Sequence, residues 1–264
     1  ERLEMDPTKI KNLKLTGSIN RDDYFFMRDK MTSLQRLNLR EVESLIDGVY
    51  SIPSDAFADK STLYKCFLPD KLERIESRAF QNTALTGSLI LPEGLKYVSG
   101  FSGTKITNVH FPSTLKEIGV YAFQDCKDLM SELSLPQSLK VIGPSAFSCS
   151  AISGSLVLPD ELESIGSGAF NSCTGLKGSL TIPNRVTVIS SYAFGGCVFT
   201  GTLTLPAGLV EVQEVAFAST KFKGELNIPS TVTAIGDRAF SGNLFNGTLV
   251  LPSELISLGT DVFA

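Results

Sequence analysis

The stretch Leu156-Val157-Leu158-Pro159-Asp160-Glu161-Leu162-Glu163-Ser164-Ile165-Gly166-Ser167-Gly168-Ala169-Phe170-Asn171-Ser172-Cys173 occurs, with small changes, along most of the chain. Its Leu-Pro or Ile-Pro pair recurs at Leu68-Pro69, Leu91-Pro92, Leu135-Pro136, Ile182-Pro183, Leu205-Pro206, Ile228-Pro229 and Leu251-Pro252, and Phe111-Pro112 fills the remaining gap. Successive prolines lie 23, 20, 24, 23, 24, 23, 23 and 23 residues apart. The Ala-Phe pair recurs in step, from Ala56-Phe57 to Ala239-Phe240, and closes as Val262-Phe263. From proline to the next phenylalanine is 11 residues in eight of nine units, whereas phenylalanine to the next proline varies between 11 and 13. The first half of the unit is therefore of fixed geometry. Length tolerance belongs to the second half, where the Gly-Ser-type pairs Gly87-Ser88, Gly154-Ser155, Gly178-Ser179, Gly201-Thr202, Gly224-Glu225 and Gly247-Thr248 predict surface loops with left-handed glycines.

A period in the range 20–29 with spaced leucines predicts a leucine-rich-repeat solenoid, a right-handed superhelix that grows by stacking. Leu-x-Leu-Pro alternates apolar and polar, so it reads as a strand that proline ends. These strands predict a parallel sheet on the concave face, with short turns or helices, including the Ala-Phe element, on the convex face. The following Leu-x-x-Ile segment turns two apolar residues inward. One unit cannot offset its own ordering cost, so neighbours must stack. Residues 1–48 read as an N-terminal cap region. It holds two atypical repeats, Ile10-x-x-Leu13-x-Leu15 and Leu34-x-x-Leu37-x-Leu39, and a helix near Asp22–Met31 with Asp22 as N-cap. Residues 49–264 hold about nine proline-bearing repeats of period 23, so eleven strands are expected in all. Two irregularities stand out. Pro92 to Phe101 spans only 9 residues, which predicts a locally thinned or bent turn at Gly100-Phe101, and the last repeat ends at Ala264 with apolar surface exposed.

Bulk chemistry narrows the function. The chain has 264 residues, a net charge of −4 and an isoelectric point near 5.2. No basic stripe marks a nucleic-acid binder, and no apolar run is long enough to span a membrane. No export signal stands at Glu1-Arg2-Leu3-Glu4-Met5. Of five cysteines, Cys126, Cys173 and Cys197 share one repeat position, three residues after phenylalanine, while Cys149 is displaced by one. Zinc sites call for paired C-x-x-C ligands, which are missing, so a column of small buried thiols is the favoured reading and no metal or cofactor is expected.

The pattern Leu-Pro, Leu-x-x-Ile-Gly, Ala-Phe-x-x-Cys, as in Leu135-Pro136 through Phe147 and Ile182-Pro183 through Cys197, resembles the BspA-like (treponemal-type) leucine-rich repeats. The resemblance implies a surface or secreted protein of a host-associated bacterium. It further implies adhesion to host matrix or cell-surface proteins, or to surface glycans, and it brings no catalytic set. The single histidine, His110, sits outward on Val109-His110-Phe111 and could lie beside Ser134; one such neighbour does not make a triad, and no enzyme is expected. A passive spacer that presents another domain is the alternative, and an enzyme with a site near His110 is a remote one. The candidate binding face is the outward row of the Leu-x-Leu-Pro strands: Ser88, Ile90, Asn108, His110, Glu132, Ser134, Ser155, Val157, Ser179, Thr181, Thr202, Thr204, Glu225, Asn227, Thr248 and Val250. It is small, mostly polar and without an aromatic residue. Asn246-Gly247-Thr248 matches a glycosylation sequon.

Overall fold

The computed structural model describes residues 5–264, which form a β-solenoid of about 11 turns with a single α-helix among them. Most turns contribute strand at more than one position, and the described residues hold twenty-two short strands where eleven were expected. The first position is the Leu-x-Leu-Pro row. It begins as a three-stranded parallel sheet of Asn12–Ser18, Arg36–Glu43 and Lys65–Phe67 and continues in two-stranded pieces, among them Thr86–Ile90 with Lys105–His110 and Leu180–Thr181 with Leu203–Thr204. The second is the Leu-x-x-Ile segment, whose pattern predicts two inward apolar residues and no strand. It forms the longest ladder: Val49–Ile52, Arg74–Ile75, Tyr97–Val98, Glu117–Ile118, Val141–Ile142 and Ser164–Ile165, all parallel and in strict register. A second ladder carries the same position from Val188–Ile189 to Ser257–Leu258. The inward partner at each rung is β-branched until the last, from Ile52 to Ile235, and buried. Two-residue strands suffice because these stiff side chains pack well on a pleated surface.

The Ala-Phe element is not helical. The residue before each alanine has a left-handed backbone: Asp55, Arg78, Tyr121, Ser145, Tyr192, Val215 and Arg238 have φ between +51° and +60°, and Gly168 has +64°. A left-handed residue cannot propagate a right-handed helix, so the amides turn to the neighbouring repeat instead. Each phenylalanine N–H donates forward to the carbonyl before the next phenylalanine, for example Phe123 to Ala146 at 2.7 Å and Phe147 to Ala169 at 2.8 Å. The rings stack without interruption from Phe57 to Phe263, with centroids 5.1–5.8 Å apart. From Phe57 to Phe240 they are essentially inaccessible.

The helix, Arg21–Asp29 (α1), closes the N-terminal end of that stack. Its N-cap is Asn20, not Asp22: the Asn20 side chain accepts from the N–H groups of Asp22 and Asp23, and the Asp23 carboxylate accepts from the Asn20 N–H, completing a capping box. Tyr24 and Met27 are buried, and the Tyr24 ring meets Phe57 edge-on at 5.6 Å. The buried Lys60 ammonium donates to the carbonyls of Arg28 (2.9 Å) and Met31 (2.7 Å), at the end of α1 and just beyond it.

The short turn behaves as expected, and its repair is visible. Gly100 has φ +99°, and a Cβ there would lie 2.6 Å from both the Ala79 nitrogen and the Glu76 carbonyl oxygen. The missing residues leave a notch of about 210 Å³ between Arg78 and Tyr121. In the regular turns, the carbonyl three residues before phenylalanine accepts from a backbone N–H of the preceding turn, as Pro144 accepts from Tyr121. At the notch the corresponding carbonyl, Val120, accepts from the Ser99 hydroxyl at 2.8 Å. The phenylalanine stack passes this point at 5.1 and 5.7 Å, so the thinning does not break it. Of the six Gly-Ser-type glycines, five have φ between +78° and +92°, and Gly201 does not. Gly87, Gly154 and Gly224 lie within strands rather than loops, and Gly87-Ser88 marks a register shift.

Candidate binding surface

The leucines of Leu-x-Leu-Pro point inward, so the intervening residues must point out. Leu89, Val109, Leu133, Leu156, Leu180, Leu203 and Leu226 are all at most 8% accessible. Of the sixteen candidate residues, fifteen are exposed and Asn108 is half-buried. Adjacent turns set Ser88 against Asn108, Ile90 against His110 and Thr181 against Thr204. Glu132 and Ser134 keep the alternation although their segment forms no ladder. The apolar tips are Ile90, Val157 and Val250, 68–70% accessible.

The structure gathers some of these residues and leaves others apart. Ser155, Val157, Ser179 and Thr181 line one groove of about 300 Å³, together with Asp160 and Pro183. Ser88 and Ile90 line a larger cleft of about 400 Å³. Thr248 borders a hollow of about 170 Å³ at the last turn, beside Phe245 and Phe263, where Leu249, Val250, Leu251, Ile256 and Leu258 are exposed as the sequence implied. The pairs at 202/204 and 225/227 stand on the open face. The His110 ring nitrogen Nε2 lies 3.1 Å from the Asn108 amide nitrogen; the expected Ser134 neighbour makes no hydrogen bond to it.

The first turns carry residues that the sequence reading passed over. On Arg36–Glu43 the outward side chains are Arg36, Asn38 and Arg40; on Lys65–Phe67 they are Lys65 and Phe67. Arg36, Asn38, Lys65 and Phe67 occupy the same strand positions as the candidate row, and Arg40 stands where the later repeats have proline. Phe67 was legible as the middle residue of Cys66-Phe67-Leu68-Pro69, a strand whose first leucine is replaced by cysteine. Its ring lies under two cations, with the Arg40 guanidinium carbon 4.9 Å and the Lys65 ammonium 5.1 Å from the centroid.

The cysteine column is internal. Thr83, Thr104, Ser150 and Thr220 each donate a side-chain hydroxyl to the carbonyl of their own turn's phenylalanine, at 2.6–2.8 Å. Cys126, Cys173 and Cys197 reach one turn back, to Phe101, Phe147 and Phe170, at 3.1–3.2 Å. Asn243 spans both, donating to Phe217 at 2.7 Å and Phe240 at 2.9 Å. Ser150 holds the column position that Cys149 misses. Desolvation pushes Cys126 up to about 11 and Cys173 up to about 12, and raises Cys197 well above the ordinary thiol. In the folded chain they act as neutral donors that sew carbonyls together.

The family model for the BspA-type leucine-rich repeat region matches residues 7–101, 88–178 and 153–264, with six copies in all. Among curated proteins no significant match is found. Among solved structures the chain is similar to a leucine-rich repeat protein from Bacteroides ovatus, at 19% identity and a TM-score of 0.50, covering 96% of this chain and 76% of that one. It is also similar to the pneumococcal vaccine antigen PcpA, at 20% identity and a TM-score of 0.49, over 93% and 65% of the two chains. A leucine-rich cell surface protein from Faecalibacterium prausnitzii is similar at 20% identity and a TM-score of 0.43, over 90% and 84%. With the family model spanning nearly the whole chain, and with its stacked Ala-Phe turns and inward leucines, this chain belongs to the BspA-type leucine-rich repeat family.

Proposed function

We propose that this chain is a non-catalytic adhesion module, secreted by or displayed on the surface of a host-associated bacterium, that binds host matrix proteins, cell-surface proteins or surface glycans. The observation that carries the reading is the outward row: side chains exposed turn after turn above strands whose inward leucines are buried. Such a row offers contact area over many repeats, which is how solenoids bind extended partners. Membership of the BspA-type family supports it. Immobilised matrix and cell-surface proteins, with a glycan array, presented to the purified chain test it. A Kd of about 10 µM or tighter for at least one ligand, weakened by Thr181→Arg with Thr204→Arg, is expected. No binding across the panel refutes adhesion.

The spacer reading draws on a different observation. Beside the Leu-x-x-Ile ladders, ion pairs link neighbouring turns along the axis, including Lys140 with Glu163 at 2.8 Å and Arg185 with Glu161 at 3.0 Å. A surface whose charges satisfy one another suits a rod that holds something else at a distance.

A further inference from the structure

On the outward row the first turns differ in kind from the rest. The three-stranded sheet ending at Lys65–Phe67 and the pair starting at Thr86–Ile90 are not laddered to each other. A single backbone bond, Thr86 N–H to the Tyr64 carbonyl at 3.3 Å, joins them. The cleft of about 400 Å³ opens at this parting. Phe67 and Arg40 stand on one side, Ile90 and Pro92 on the other. Phe67 is also the wall of a second groove of about 370 Å³, which Arg36 lines. Among the described residues Lys14 is paired with Glu41 at 2.6 Å, but Arg36, Arg40 and Lys65 have no carboxylate within salt-bridge distance. Of these residues, only Asp70 brings a carboxylate to the cleft wall. Two cations without a carboxylate partner thus lie over an aromatic ring, and a third lines the groove on its other side, on a protein whose net charge is −4.

We infer that this cleft, together with the adjoining groove across Phe67, binds an acidic peptide segment of a protein partner, with carboxylates on Arg40 and Lys65 in the cleft and on Arg36 in the groove, and an apolar side chain between Phe67 and Ile90. Stacking over Phe67 holds the Arg40 guanidinium while leaving its N–H groups free to take a carboxylate in bidentate fashion. The apolar lining decides between ligand classes. Ile90 is 70% accessible beside the cations; a peptide carrying leucine next to glutamate covers it, and a sulfated sugar chain has no side chain that does. Arginine with an aromatic anchor is also the composition of interaction hot spots, which the Ser/Thr part of the row lacks. The inference rests on the adhesion reading and names one of its ligand classes.

The test is fluorescence anisotropy of the purified chain with the labelled peptide Glu-Glu-Leu-Glu-Glu-Leu-Glu-Glu, its glutamine counterpart and a heparin oligosaccharide. The glutamate peptide is expected to bind, to weaken as salt is raised and to bind at least tenfold tighter than the glutamine peptide. Arg36→Glu with Arg40→Glu and Lys65→Glu should weaken it at least tenfold. Phe67→Ala should weaken it severalfold, and Lys177→Glu, on a distant turn, should leave it unchanged. These positions are exposed or half-buried, and an unchanged far-ultraviolet spectrum and melting temperature show that each variant folds. Absence of binding, or binding indifferent to the triple reversal, overturns the inference; heparin binding at the cleft with none by the peptide assigns the site to a glycan and overturns it as well. The two readings fail separately. A panel ligand that survives the triple reversal while the peptide does not bind keeps adhesion and removes the cleft, and peptide binding with an empty panel does the reverse.

Discussion

Replacing Cys126, Cys173 and Cys197 together by serine should remove most of an alkaline weakness that the internal column builds into the fold. In the folded chain burial raises these thiols above their ordinary value of 9.0, with Cys126 up to about 11 and Cys173 up to about 12. A folded thiol that resists ionisation contributes stability that is fully present below the unfolded value and is lost as pH rises from there toward the folded value. The window is therefore pH 9 to 11 and above. Within it each thiol costs a little over 1 kcal/mol per pH unit. Between pH 8 and pH 10 the three together remove about 4 kcal/mol, a figure that needs only that all three stay protonated in the folded state at pH 10. Serine suits the site: Ser150 holds the same column position and donates to Phe147 at 2.6 Å. Urea unfolding followed by circular dichroism, at half-unit steps from pH 7.5 to 10.5, measures the effect. Both proteins lose stability from shared groups such as the lysines, so the difference between the curves isolates the thiols. The variant should pay a pH-independent cost at neutral pH and then fall less steeply above pH 9. Parallel curves across pH 9 to 10.5 would refute the argument. So would rapid reaction of these three thiols with a disulfide reagent at neutral pH in the folded protein, since burial and protonation both protect them.

Two further substitutions probe the turn geometry. Ser99→Ala removes the hydroxyl that supplies the Val120 carbonyl at the shortened turn and should cost about 1–2 kcal/mol in urea unfolding; no loss would mean that solvent in the notch satisfies that carbonyl equally well. Val215→Gly relieves a β-branched residue held at φ +58°, at a position where Gly168 stands in another turn; the melting temperature should rise slightly, by a gain of up to about 1 kcal/mol, because relieved strain exceeds the added unfolded-state freedom, and a fall would show that the half-buried valine methyls contribute more than the strain costs.

Core positions were legible because each one recurs. Leucine, isoleucine, alanine and phenylalanine repeat at fixed offsets, and a residue that must fit between two copies of itself tolerates little change. The left-handed residue before alanine was not legible, because six different residue types stand there: Asp55, Tyr121, Val215 and Gly168 share a backbone angle and nothing else. The ladders of the Leu-x-x-Ile segment escaped for a related reason. Two-residue strands such as Arg74–Ile75 are too short to show an alternation, and only their stacking across turns reveals them. The cysteine column was legible as a column, but not as a set of donors, until Thr83, Ser150 and Asn243 were seen making the same bond with different chemistry.

Outward positions obey no such constraint, and that is why function is harder to read than fold. A solenoid requires only that Ile90, Thr181 or Phe67 not disturb the leucines beneath, so the period is silent about them. What carries information there is departure from the row's own habit. Along the later turns the habit is mostly serine and threonine, with Val157, Val250, Asn227 and the acidic Glu132 and Glu225, and no cation. In the first turns it gives way to Arg36, Arg40, Lys65 and Phe67, at the place where the two strand groups part. The other departure, the short turn at Gly100, lies within the core-facing half, and the Ser99 hydroxyl and an unbroken ring stack compensate for it locally. A change that the fold repairs is explained by the fold. A group of cations that have no carboxylate partner among the described residues, beside a half-buried aromatic ring, is not, since it brings like charges together on a sheet that would be more stable without them, and a binding partner supplies the missing opposite charge.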